Sequence, residues 1–452
     1  MTGHTYVADA LRRLASRLGI DFHVAYALVS KLWMVIAGAG TVILIPRYLS
    51  ETSQGYYYTF SAILGVLVFF ELGLNQVIAQ IAAHDAAHIE RDKAGRLLSG
   101  ERGLARLRAL LHFIYTWSRW AATLFVLAIL PLGVMFFQRH GVLPIIEWIK
   151  PWAILVLFAA ANLFQASRLA FMEGLGLVGQ IARLRLAQSM IGYLTMWVVL
   201  ITTKSLYAAV VVPAISAIGT ALWLRFSDNP IRGLMATSSN AGACLISWRE
   251  EILPLQWRIA LSWISSFFIY QAFVPMAFAS QGAAEAGQLG LGLNVFTAIT
   301  TVAMSWVMSR SPRFATLVAQ QQRDELRATF RHAFRHSFAA IVLLVVMVIL
   351  AIWLVNVLDW QIARRVPSLG VTAALGCAAI GNSAIFAMAN FMHAHKQDPL
   401  AIPSAVTAIL VIFAAYYGMQ VSVLAAIAAY AAIICLLFVP WTFTLFRQYY
   451  GR

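Results

Sequence analysis

Long apolar runs separated by short polar breaks recur along the whole of this 452-residue chain and leave it few folds. A bilayer core about 30 Å thick is crossed by about 20 apolar residues in a helix, and such runs must satisfy their own backbone groups there. Runs of that length stand near 24–46, 56–80, 110–137, 151–172, 186–203, 206–226, 257–279, 288–309, 337–358, 369–392, 401–418 and 422–446. The chain therefore reads as an all-α polytopic membrane protein of about 12 transmembrane helices. Composition agrees: 61% of residues are hydrophobic and 11% charged, against about 25% charged in an ordinary soluble chain. Soluble enzymes, disordered chains and collagen-like chains are excluded.

The net charge of +15 is explained by where the cations fall. Short cytoplasmic loops collect Lys and Arg. With the N-terminus inside, 25 of the 33 basic residues lie on the cytoplasmic side and six outside: Arg47, Arg139, Lys150, Lys204, Arg364 and Arg365. Both termini are thus expected in the cytoplasm. The same distribution, with no aromatic-interleaved basic platform, argues against nucleic acid as a partner. Residues 1–23 carry Arg12, Arg13 and Arg17 but no apolar core of signal-peptide length, so they read as a cytoplasmic lead. Cys244, Cys377 and Cys435 form no disulfide or metal-ligand pattern. His84/His88 and His332/His336 have i,i+4 spacing without a third ligand, so no metal site is expected.

The chain carries signs of duplication. Ile45-Pro46 followed by Glu51 and Gln54-Gly55 matches Val274-Pro275 followed by Glu285 and Gly287-Gln288; Asn162 with Phe171-Met172 matches Asn382 with Phe391-Met392. Six helices per repeat is an even number, so the lobes are parallel repeats about an axis along the membrane normal, with a cavity between them. The expected division is an N-lobe over 24–226, a cytoplasmic linker over 227–256, a C-lobe over 257–446 and a cytoplasmic tail over 447–452.

The segment 33–74, with Pro46-Arg47-Tyr48-Leu49, Gln54-Gly55-Tyr56 and Glu71-Leu72-Gly73-Leu74, resembles the opening of Wzx-type O-antigen and exopolysaccharide flippases. These belong to the multidrug/oligosaccharidyl-lipid/polysaccharide (MOP) exporter superfamily. Phe171-Met172-Glu173-Gly174 and Ala394-His395-Lys396-Gln397-Asp398-Pro399 are similar to that family's corresponding turns. The resemblance implies a MATE-like fold of two six-helix lobes in the bacterial inner membrane. It also implies alternating-access transfer of an undecaprenyl-pyrophosphate-linked glycan, with polysaccharide polymerase and glycosyltransferases as functional partners. A monomer with no cofactor beyond a coupling cation, H+ or Na+, is expected.

Such a cargo needs cations for phosphate and amides, hydroxyls and aromatic faces for sugar. Charge inside a membrane is expensive and marks function by default. Lys31, Arg119 and Arg258 are the pyrophosphate candidates, with Arg47 a receiver on the outer side. Glu71 is the one acid well inside an expected span, suited to pairing with a cation or to ion coupling. Asn162, Gln165, Gln271, Asn294, Trp263 and Tyr270 are the sugar candidates, each equally readable as helix-packing residues. Pro46 and Pro275 are candidate hinges, and Tyr56-Tyr57-Tyr58 reads as an interfacial aromatic belt. Two competing functions remain. An ion-coupled, MATE-like multidrug exporter would be expected to carry more buried acids. A polyprenyl-dependent glycosyltransferase or polymerase would be expected to show paired carboxylates, whereas the outer loops hold only Glu51, Glu147, Glu285 and Asp359. The chain is read as no enzyme.

Overall fold

A computed structural model of the protein describes residues 22–71, 73–87, 90–91, 97–98, 101–227, 231, 264, 267–269, 271–395 and 399–451. Most of the expected linker and of the seventh span lie outside these. In chain order the helices of the first half are α1 Phe22–Tyr48, α2 Glu51–Leu64, α3 Leu67–Glu71, α4 Leu74–Ala87, α5 Glu101–His140, α6 Ile145–Met172, α7 Val178–Thr203 and α8 Ala208–Phe226. Those of the second half are α9 Phe273–Gln281, α10 Ala283–Met308, α11 Ser311–Ala319, α12 Arg323–Val357, α13 Leu369–His393, α14 Ala401–Val421, α15 Val423–Ala432 and α16 Val439–Gly451. The one strand pairing among the described residues joins Glu90–Arg91 to Leu97–Leu98, two residues each.

Among the described residues eight helices are long and apolar enough to cross a membrane, or nine when the helices on either side of Gly73, bent by 43°, count as one. The difference from twelve has physical causes. Ile145–Thr203 counts once, yet 59 residues at 1.5 Å rise would extend about 88 Å, nearly three bilayer cores. It is broken within the π-helical segment Glu173–Leu177, where Gly176 takes φ +85°, so it holds the fourth and fifth spans. The apolar part of α1, Trp33–Tyr48, is short by itself, and α9 is only the last part of the seventh span.

Helix pairing repeats between the halves. In the first, α5 packs on α6, α6 on α8, α7 on α8 and α1 on α7; in the second, α12 packs on α13, α13 on α15, α14 on α15 and α9 on α14. The two asparagines matched in sequence occupy equivalent bonds. Asn162 donates to the carbonyl oxygens of Phe158 (3.0 Å) and Pro213 (2.9 Å), tying α6 to α8. Asn382 donates to the Tyr430 hydroxyl at 2.8 Å, tying α13 to α15. Phe171-Met172 and Phe391-Met392 are buried in separate apolar clusters at the end of each half that also carries α11 and the start of α12. That end, lined by Arg310, Arg313, Arg323 and Arg327, is called the basic end below. Gly174 shows why its motif needs a glycine: a Cβ there would lie 2.5 Å from the Ala79 carbonyl oxygen of α4.

The largest core cluster lies at the opposite end and crosses between the halves. Tyr56 is its hub, fully buried, stacked on Phe137 at 5.1 Å and edge-on to Phe278 at 5.0 Å. Its hydroxyl accepts from the Leu143 amide at 3.2 Å. The belt reading of Tyr56 and Tyr58 is therefore corrected. Both are buried, because this part of α2 faces the other half of the protein rather than lipid.

Candidate functional site

The halves meet where α2 lies against α10, and the sequence explains why they come so close. A Cβ on Gly55 would run into the Ala283 carbonyl oxygen, and one on Gly287 would lie 2.9 Å from the Gly55 nitrogen. Only glycine lets two backbones approach this far. The Gln54-Gly55 and Gly287-Gln288 motifs recognised as repeats are thus brought together. Gln54, 1% exposed, donates from Nε2 to the carbonyl oxygens of Gly287 and Arg365, both at 3.0 Å. The single-turn 3-10 helix Gln361–Arg365 completes a latch: Arg365 donates to the Leu49 carbonyl at 2.9 Å and lies 3.6 Å from the Glu51 carboxylate. Gln288 in turn donates to the Arg364 carbonyl at 3.0 Å. This end of the inter-lobe seam is shut.

Towards the basic end the seam opens. Ala283, Gly287 and Gly290 are buried on the face of α10 that meets α2, and the same row continues at alternating spacings of four and three as Asn294, Thr297 and Thr301, which are all exposed. On α2, Tyr58 packs against Gly290, while Ser61, one turn on, is exposed. Every one of these polar groups donates to its own helix: Ser61 to the Tyr57 carbonyl, Asn294 to Gly290, Thr297 to Leu293 and Thr301 to Thr297. The oxygens of Asn294 Oδ1 and the three hydroxyls therefore face the gap as acceptors. The row is neutral, and it suits a ligand rich in O–H or N–H donors.

No protein-family model and no curated protein matches the chain. Solved structures do match it over nearly its full length. It superposes with TM-score 0.64 on an inward-facing multidrug-resistance MATE family transporter of the MOP superfamily, at 12% identity, covering 93% of this chain and 95% of that one. With the lipid II flippase MurJ, in an inward closed conformation, the TM-score is 0.60 at 12% identity, covering 94% and 87%. With a MOP superfamily transporter from Pyrococcus furiosus it is 0.55 at 12% identity, covering 95% and 96%. The chain has the MOP fold.

Within that fold the charges named from sequence are spread out. Arg119 is exposed on α5, on the side that also presents Trp120, Leu124 and Leu127, and it makes no ion pair with Glu71. Glu71 ends α3, half-buried, just before the break at Gly73, with no ion pair among the described residues. Lys31 lies in α1 with its side chain outside the described residues; Arg258, Trp263 and Tyr270 lie outside them altogether. Arg47 is exposed beside the latch. Gln271 is exposed in the turn just before α9, its Cγ 3.2 Å from where a Cβ on Gly65, the residue after α2, would stand. Asn162 spends both amide protons on α6 and α8, whereas Gln165 is 8% exposed with its Oε1 unpaired. Pro46 is buried in the last turn of α1, and Pro275 stands in the first turn of α9. Pro46 leaves the Val42 carbonyl without its helical donor, whereas Pro275 stands where an amide has no partner within the helix. His332 and His336 stack at 4.2 Å, and no group of three or more metal-ligating side chains forms among the described residues.

Two functional features escaped the sequence reading. The row Asn294, Thr297, Thr301 was visible as three polar residues on one helical face, but only Asn294 was singled out. Arg168, inside the expected span 151–172, counts in the sequence reading only among the 25 cytoplasmic-side cations. In α6 it is 8% exposed, its guanidinium 3.8 Å from the Phe164 ring centroid and 4.5 Å from that of Tyr115, with Nε unpaired.

Proposed function

We propose that the protein is a flippase for a polyprenyl-pyrophosphate-linked oligosaccharide, working by alternating access in a bacterial inner membrane with both termini cytoplasmic. The observation that carries this reading is the neutral row of acceptors on α10, with Ser61 opposite, at the point where the lobes part. Sugar hydroxyls donate to the four oxygens and accept from the second amide N–H of Asn294, whereas an anionic phosphate, which only accepts, would face four acceptors and one donor. The phosphate is held nearer the basic end by Lys31, Arg119 or Arg258, while Gln271 and Gln165 extend the sugar-facing surface. Lobes over 24–226 and 257–446 rock about the latch, and Glu71, beside a helix break, takes up the coupling H+ or Na+. The MATE and lipid II flippase neighbours support transport of this general kind by fold alone. Polymerase and glycosyltransferases act on the same glycan before and after transfer.

Leaflet-resolved labelling of lipid-linked glycan in cells depleted of the protein tests the proposal. Accumulation in the cytoplasmic leaflet is expected. Unchanged leaflet distribution, together with raised sensitivity to organic cations, would replace it with the multidrug exporter reading.

A further inference from the structure

At the basic end of the second half a cavity of about 220 Å3 lies outside the inter-lobe seam. A single water needs an order of magnitude less space. It is bounded by α11, the first turn of α12 and the ends of α13 and α16, and its lining divides by chemistry. The apolar side is Leu317, Leu326 and Phe391; the polar side is Arg323, Arg327 and His395. Three features hold the polar side in place. Arg327 donates from Nε to the Tyr450 carbonyl at 2.9 Å, and its guanidinium lies 5.5 Å from that ring's centroid. The His395 ring lies 5.3 Å from Phe391 and 5.7 Å from Tyr449, with Nδ1 3.2 Å from the Phe391 carbonyl. Gln321, in the left-handed region at φ +56°, turns the chain so that Arg323 enters the wall.

Of the acids nearby among the described residues, Glu325 is engaged by Arg313, and Asp324, 3.9 Å from Arg327, is wholly exposed. The described lining of the cavity holds two arginines and no acid. The α13 helix sets its depth. About 20 residues from Leu369 cross a bilayer core, so His395 lies roughly 9 Å beyond it, at headgroup level.

We propose that this cavity binds a phosphate ester that carries a net negative charge, in preference to a zwitterionic one. Arg323, Arg327 and His395 hold the phosphate oxygens, and Leu317, Leu326 and Phe391 receive the apolar or glycerol part. Guanidinium–phosphate bonds are charge-assisted and directional, which is the reason two arginines on one helical face suit this ligand better than scattered loop cations. The source is either the headgroup of an anionic phospholipid or a small soluble ester, and the proposal does not depend on which cargo crosses the inter-lobe gap.

The test uses the purified full-length protein in neutral detergent, with dissociation constants measured by native mass spectrometry. The probes are dioctanoyl phosphatidylglycerol, dioctanoyl phosphatidylcholine and glycerol 3-phosphate. Arg323→Gln and His395→Gln are expected to weaken phosphatidylglycerol or glycerol 3-phosphate binding about tenfold each, the loss of one charge-assisted bond. Arg331→Gln, one turn beyond Arg327 and outside the cavity lining, is expected to leave it unchanged. Tight binding of the lipid alone assigns the headgroup as ligand, and equal binding of glycerol 3-phosphate assigns a soluble ester. Arg323 is exposed, so its replacement leaves the fold intact, and an unchanged melting temperature checks this. No binding to the wild type, equal binding of phosphatidylcholine, or equal effects of Arg323→Gln and Arg331→Gln would overturn the assignment.

Discussion

Replacing Gln54 by Leu keeps the side chain's bulk and removes both amide hydrogen bonds that cross the seam. Each is 3.0 Å long and made by a residue 1% exposed. A typical hydrogen bond contributes a net of about 0.5–1.5 kcal/mol, so the closed latch loses about 1–3 kcal/mol. The freed carbonyls of Gly287 and Arg365 regain water if the seam opens, so the loss falls on the closed state alone. At 1.4 kcal/mol per factor of ten, the open fraction rises about 5- to 150-fold. Ala286 is 0% exposed beside the contact, which makes Ala286→Cys a reporter once Cys244, Cys377 and Cys435 are replaced. Maleimide alkylation of the reporter in nanodiscs, accessible from both faces, should be at least about fivefold faster with Gln54→Leu than without it. A rate within about twofold of the parent, at an unchanged melting temperature, would show that the latch does not control opening, and the hydrogen-bond reasoning would fall.

The same contact makes Gly55→Ala unfavourable by about 1–3 kcal/mol, because the new methyl meets backbone rather than a movable side chain. The reporter should again be alkylated faster, and combining it with Gln54→Leu should give less than the sum, since both act at one contact. Asn162→Leu and Asn382→Leu should each lower the melting temperature in detergent, because each removes a bond that ties two helices together; absent shifts would dissociate the repeat from stability. Lys31→Ala should abolish glycan display on cells while leaving protein in the membrane, and wild-type surface polysaccharide in that variant would remove Lys31 from the site.

Much of the fold was open to the sequence because bilayer thickness sets a length and hydropathy reports it. Eleven of the twelve expected spans coincide with described helices. The repeat was legible too, since Asn162 and Asn382 must each bond a neighbouring helix in a place without water, and that requirement preserves residue type. What hydropathy does not carry is direction. Tyr56 in a membrane helix near its end looks alike whether it faces headgroups or the other lobe, and only the small residues Gly55, Ala283 and Gly287 hinted at the second. Arg364 and Arg365 were counted as outer-side cations, and a count by charge alone concealed the latch. Arg168 illustrates the reverse error. A basic residue near a helix end was read as topology, although Tyr115 and Phe164 hold its guanidinium inside the bundle.

The single face of α10 that seals with Gly287 and Gly290 and then opens with Asn294, Thr297 and Thr301 ties two properties to one phase angle. Each residue advances a helix by about 100°. One residue inserted between Gly290 and Asn294 would leave the seal untouched and swing the acceptor row by about that angle, into the packed neighbours α12 and α13 or out toward lipid. The short stretch Leu291–Leu293 is therefore a metrical constraint on this chain. Its length matters more than its chemistry, and lengthening by one is expected to abolish recognition while the protein still folds and its closed end still locks.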